Sequence, residues 1–512
     1  MNLNSAVFII FLAVTATVYY VVPHKFQNAF LLAASYVFYM WKIPQYGVLV
    51  LATTAASFFL AHAISRAQSE KKRKSLLVFS IVLYLSVLFL FKYFNFFMDS
   101  ISSLGGLLGV KIEAAHWNLA LPLGISFYTL QIIGYSVDVY RKVVDAEKKF
   151  VDYALFVSFF PQMMGPIGRA KELLCQYKQH RSFDYGSAVE GLSRILIGAF
   201  KKVVLADGMG IFVNEMFGNL HDHSGLMLIC AVLCYAVQLY ADFSGYSDMA
   251  VGAAKVLGIT LRENFAAPYL ATNMSGFWSR WHMSLSSWLQ DYVFIPLVWS
   301  RWWDKLFHKK TLDSRPPEVL VNIIVVFLIS GLWHGAAWNF VAWGLLNGIY
   351  RVAEELLHKW RKRPKKPANK ALGTIFRYAK SLLIFVLFAV SLILFRTESF
   401  SDIAYIFKNL LVASPFQPAV MLKYISYGIA DSGMYYMLYG LGLGTALVSL
   451  VAMGVSVDRS IAKKTMCCNP LGKLGRNKRW AVYYLFGLLT VMFYLLVNSG
   501  LSSAGSFIYN GF

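Results

Sequence analysis

The chain has 512 residues, 58% hydrophobic and only 14% charged, where a soluble domain carries about a quarter charged residues. With a mean hydropathy of +0.54, this composition excludes a water-soluble enzyme and indicates a polytopic membrane protein. The formal charge of +22, from 48 basic and 26 acidic side chains, sits in clusters between apolar runs. That pattern argues against nucleic-acid binding and fits cytoplasmic loops attracted to membrane lipids, with a phosphate-bearing substrate also compatible.

The apolar runs are long and helix-like, without the short alternating segments of a membrane barrel, so the expected fold class is all-α. In chain order the candidate spans are 5–22, 28–41, 46–65, 75–98, 119–140, 187–215, 222–241, 318–333, 336–353, 376–395, 433–456 and 480–500. Several fall short of the ~20 residues of a simple crossing and read as tilted, broken or re-entrant, so the expectation is about eleven true transmembrane helices plus re-entrant or interfacial ones. The first run follows MNLNSA, with neither a basic leader nor a cleavage site, and reads as a retained span. One membrane domain over 1–512 is expected.

Basic loops set the orientation. Segments 66–74, 141–149, 358–370 and 459–479 should face the cytoplasm, which places both termini outside and the C-terminus extracytoplasmic. Residues 150–186, with Pro161 and Pro166, are less apolar and read as interfacial or re-entrant helices.

The string YADFSGYSDMAVGAAKVLGI begins where span 222–241 ends; Asp242 and Asp248 then read as helix caps among small packing residues. Next, ENFAAPYLATNMSGFWSRWHMSLSSWLQDYVFIPL reads as a helix from Ser275, with Trp278, Trp281, Leu285 and Trp288 along one stripe, suited to the membrane interface. His282 lies beside that stripe. Arg262, Arg280 and Arg301 could meet phosphates, although basic residues there often serve only as anchors. Arg280, Trp281 and Arg262 are the candidates for contacting a donor. His334, in SGLWHGAAWNF between two apolar runs, is the most exceptional of the ten histidines, because an ionisable group at membrane depth is a functional-site hypothesis by default. Gly331 and Gly335 flank it at a spacing that lets backbones approach closely. The plain alternative is a packing histidine bonded to a carbonyl. His62, near a span end, reads as structural. The five cysteines form no disulfide framework or zinc motif, no GxSxG, HExxH or Walker-type loop occurs, and the GxGxG at Gly440–Gly444 reads as helix packing; no metal is expected.

Taken in order, DFSGYSDMAVG, ENFAAPYL, FWSRWHMSLSSWLQDYVFIPL and GLWHGAAWNF resemble the membrane-bound O-acyltransferase family, in particular the bacterial branch that acetylates alginate and other exopolysaccharides. The branch that D-alanylates teichoic acid is a near relative. The resemblance covers about 120–350 well. It implies a funnel-shaped helical domain with a thin central wall, a cytoplasmic acyl donor on one side and an acceptor on the other. His334 matches the family's catalytic histidine and His282 its second one, as base, orienter or structural support. The end of the chain, SFIYNGF within the tail 501–512, carries Phe507, Tyr509 and Phe512. It is similar to the end of the small partner peptide of teichoic-acid D-alanylation, whose tyrosine accepts the acyl group; the alternative is an aromatic membrane anchor.

The resemblance implies an O-acetyltransferase of the bacterial inner membrane with acetyl-CoA as donor substrate and no tightly bound cofactor. Acetyl would pass through a Tyr509 ester to an extracytoplasmic acetyltransferase partner and a polysaccharide. The alternatives are D-alanyl transfer from an acyl carrier protein to teichoic acid and, from another class, a polysaccharide-precursor transporter or flippase, for which no inverted repeat is evident.

Overall fold

A computed structural model describes residues 1–41, 43–300, 317–360, 370–412 and 474–500. The tail expected to accept the acyl group, with Phe507, Tyr509 and Phe512, lies outside the described residues, as do Arg301 and candidate span 433–456. Among the described residues the fold is all-α, without strands. Four helices are long and apolar enough to cross a membrane, Gln45–Arg66, Glu70–Leu107, Leu226–Val256 and Ala371–Arg396, and shorter apolar helices cover Ala6–Val21 and Val319–His334.

The chain divides into two compact units. Met1–Leu192 with Ala250–Arg262 forms the first, and Ser193–Met249 with Glu263–Phe512 the second. In the first, α1 (Ala6–Val21), α2 (His24–Met40), α3 (Gln45–Arg66), α4 (Glu70–Leu88), α5 (Phe94–Leu107), α6 (Ile125–Tyr140), α7 (Phe150–Ser158) and α8 (Ala170–Tyr177) follow in order. α6 packs on α3 and α4, and α7 on α2 and α3. Residues 152–170 are buried throughout, so the irregular backbone around Pro161 and Pro166 is enclosed by protein, the condition under which such backbone is tolerated. His62 bonds through Nδ1 to the Phe58 carbonyl oxygen at 3.0 Å, which fits its structural reading.

α9 (Tyr185–Phe200) and α11 (Leu226–Val256) each begin in one unit and end in the other; a π-helical turn, Lys201–Asp207, leads from α9 to α10 (Gly208–Gly218). The capping role expected for Asp242 and Asp248 is overturned. α11 runs on through DFSGYSDM to Val256, because both carboxylates find buried cations. Asp248 meets Lys201 at 2.6 Å and Arg194 at 2.8 Å, and Asp242 meets Lys202 at 2.7 Å. Lys202 also holds Asp207 at 2.6 Å. Gly245 serves packing here: a Cβ would run into the backbone of Gly198 and Lys202.

Further helices of the second unit are α12 (Met274–Trp278), α13 (Met283–Leu289), α14 (Pro317–His334), α15 (Trp338–Trp360), α16 (Lys370–Arg396), α17 (Phe400–Asn409) and α18 (Arg476–Gly500). α14 and α15 form a tight hairpin. Its closeness depends on glycine: a Cβ at Gly331 would strike the Phe340 carbonyl, and one at Gly344 the Phe327 carbonyl. α18 closes on the π-helical turn, with Phe486 stacked on Phe200 at 4.1 Å.

Candidate active site

The site is built on a break and a hairpin. The single tryptophan-striped helix expected from Ser275 is instead two short helices, α12 and α13, separated at 279–282. His282 sits at the break with φ 45° and ψ 51°, a left-handed conformation uncommon for a residue with a Cβ. Partners from the ENF segment make the break: the Arg280 carbonyl accepts the Ala266 N–H at 3.0 Å, and the Asn264 carbonyl accepts the Met283 N–H at 2.9 Å. Trp281, Leu285 and Trp288 are accordingly buried. They build protein interior and do not present a stripe to the membrane surface. The N-terminus of α12 is capped twice. Asn273 Oδ1 accepts the Gly276 N–H at 2.8 Å, and the Glu354 carboxylate of α15 accepts the N–H groups of Met274 at 2.9 Å and Ser275 at 3.0 Å.

His334 is the last residue of α14, just before the glycine and two alanines that let the chain turn into α15. The residue is 4% exposed, and its ring lies among Trp333, Trp343 and Phe395, with centroids 5.0, 5.2 and 5.4 Å away. His282, 2% exposed, meets the edge of Phe243 at 4.6 Å. Neither of its ring nitrogens has a hydrogen-bond partner among the described residues. Burial favours the neutral imidazole, the form that can accept a proton.

The two histidines, 52 positions apart in sequence, come together: their ring centroids are 6.3 Å apart, and both line one cavity of about 650 Å³. Val319, Ile323, Val326, Phe327, Ser330 and His334 of α14 line it as one stripe. From the first to the last of these the helix rises about 22 Å, so the cavity is elongated along α14. Trp278, Trp281, Leu285 and Ser286 form the facing wall, and Arg351 and Glu355 of α15 also contribute. Arg351 is paired with Glu354 and, at 3.2 Å, with Glu355.

Of the three candidate donor contacts, Trp281 lines this cavity. Arg280 is half-buried next to it in sequence but is not a lining residue. Arg262 belongs to the first unit, where its Nε donates to Glu172 Oε2 at 2.5 Å. Sequence reasoning missed Asn264, Glu354, Arg351 and Ser330. Ser330 carried a signal, one turn before His334 on the same helix face, and so did Asn264, inside the ENFAAPYL string.

The sequence model of the membrane-bound O-acyltransferase family matches residues 33–397. A probable alginate O-acetylase of Azotobacter vinelandii is 35% identical over 412 residues, 79% of this chain and 77% of the relative. The peptidoglycan O-acetyltransferase of Helicobacter pylori is 35% identical over 353 residues, 63% of each chain. The teichoic acid D-alanyltransferase of Bacillus subtilis is 29% identical over 266 residues, 49% of this chain and 64% of the relative. With two histidines in one cavity, membrane-length apolar helices and a family match across most of its length, the chain belongs to the membrane-bound O-acyltransferase family and is a membrane acyltransferase.

Proposed function

We propose that the protein moves an acetyl group from cytoplasmic acetyl-CoA through the membrane for O-acetylation of an extracytoplasmic polysaccharide. The observation that carries this reading is the single long cavity holding His334 and His282. An extended pantetheine arm matches the length of such a cavity and would bring a thioester to the imidazoles. Trp281 contributes to its wall, and Arg280, next to it in sequence, is offered to the donor phosphates.

The acceptor in this reading is Tyr509. A phenol titrates near ~10 and is almost wholly neutral at cellular pH, so it needs a base at the moment of attack. His334 takes the phenolic proton, the oxygen attacks the thioester carbon, and the C–S bond breaks as the C–O bond forms. The proton then passes from His334 to the departing thiolate. His282 supports the same step as second base or orienter. The product is an acyl-tyrosine ester, whose phenolate leaves more readily than an alkoxide. That makes it a competent donor to an extracytoplasmic acetyltransferase partner. This scheme goes with about eleven crossings, a bacterial inner-membrane location and an extracytoplasmic C-terminus.

Acetyl is favoured over D-alanyl as the transferred group because likeness to the alginate O-acetylase spans 79% of this chain and likeness to the D-alanyltransferase 49%. The test uses purified full-length protein and acetyl-CoA radiolabelled in the acetyl group. His334→Ala should lower transfer by about 100-fold or more, in the range of a lost general base, while still purifying from membranes as a monodisperse species. Tyr509→Phe should abolish label on the chain. Full labelling of the Phe variant removes the tyrosine step; full turnover by the Ala variant removes the base.

A further inference from the structure

His282 stands at the N-cap of α13, yet its side chain makes no capping hydrogen bond. In most helices the N-cap side chain itself accepts one of the first N–H groups. Here that work is done from elsewhere in the chain. Asn264 accepts the Met283 N–H with its backbone carbonyl at 2.9 Å and the Ser284 N–H with its side-chain Oδ1 at 3.3 Å. Its Nδ2 donates to Ser247 Oγ on α11 at 3.2 Å, which fixes the orientation of the amide. Asn264 is 1% exposed and Ser247 3%, so neither group can exchange these bonds for water.

The consequence is geometric. An N-cap residue with a capping side chain must fold that side chain back over its own helix. Because Asn264 has taken over the cap, the imidazole of His282 is released from it and lines the cavity beside His334. The left-handed backbone of His282 is a conformation that persists only where surrounding contacts over-determine it, and the bonds from Asn264 to the next two residues are such contacts. We infer that Asn264, oriented by Ser247, is a positioning residue that caps α13 in place of His282 and so holds the His282 imidazole in the catalytic cavity. The inference rests on the acyl-transfer reading for its kinetic consequence but not for its geometric one.

Both consequences are tested on the full-length protein in detergent. In steady-state acetyl-CoA turnover, Asn264→Ala should lower kcat between about 10- and 100-fold, the cost of a small misplacement of a reacting group. KM should stay within about twofold, because ground-state binding is not what is lost. Introduced into His282→Ala, the same substitution should cause no further loss. The second readout needs no turnover. Under diethyl pyrocarbonate, peptide mass spectrometry should show His282 of Asn264→Ala reacting several-fold faster, relative to His334, than in the parent protein. An equal fall in kcat in both His282 backgrounds, unchanged kcat in Asn264→Ala, or an unchanged modification ratio would each overturn the inference. Should Asn264→Ala fail to accumulate, Ser247→Ala takes its place: a loss confined to the His282 parent supports the assignment, and a loss of the same size without His282 refutes it. A parent protein that does not turn over acetyl-CoA but shows the modification shift would count against the donor alone.

Discussion

At position 282 the side chain and the backbone have opposed requirements. Left-handed backbone costs a residue with a Cβ roughly 1–2 kcal/mol relative to glycine, and His282 adopts it with φ 45°. Deleting the ring should therefore have a different effect depending on what replaces it. His282→Gly should be more stable than His282→Ala by about 1 kcal/mol and so melt at a higher temperature, although both variants lose transfer activity. Equal melting temperatures, read by fluorescence-detected size exclusion after heating, would mean the left-handed geometry is not retained. The identity of this residue was legible in RWHMSL; its conformation was not. Ser279, Arg280, Trp281 and His282 include neither proline nor glycine, and the group that stabilises the turn lies at Asn264, where short-range patterns do not reach.

The elements were legible where periodicity and apolarity decide them. The hairpin of α14 and α15 has its turn at Gly335–Ala337, as the apolar runs around His334 suggest, and Gly331 provides the close approach expected of it. α11 was not legible past Asp242, because aspartate after an apolar run ordinarily marks a helix end. What prolongs α11 is a set of cations on α9 and the following π-helical turn, invisible until the chain is folded. These buried pairs carry a clear expectation. Asp248 is 8% exposed and shared between Lys201 and Arg194, so Asp248→Ala takes the carboxylate from the buried Lys201 ammonium and leaves Arg194 with Glu263 alone. Removing one partner of such a set costs about 3–5 kcal/mol. The variant should be recovered at much lower yield from membranes, and its melting temperature should fall well below that of an exposed control such as Asp145→Ala. A parent-like melting curve would show that the cations find other counter-charges.

For the whole molecule, composition alone was enough to assign a membrane protein, and the charge asymmetry of its loops gives a topology that can be checked directly. A tag appended after Phe512 should be degraded by protease added to intact spheroplasts, and a tag inserted in 362–368 should be degraded only after lysis; the reverse pattern would place the tail on the same side as the donor and end the Tyr509 route. A second consequence follows from where the cavity's wall comes from. Every lining residue lies between Ser275 and Glu355, one uninterrupted stretch of gene within a single unit. Donor preference should thus be inheritable as a cassette. A chimaera in which this stretch is replaced by its counterpart from the Bacillus subtilis D-alanyltransferase should change which thioester is consumed while the remaining helices, and whatever they present to the exterior, stay those of the host.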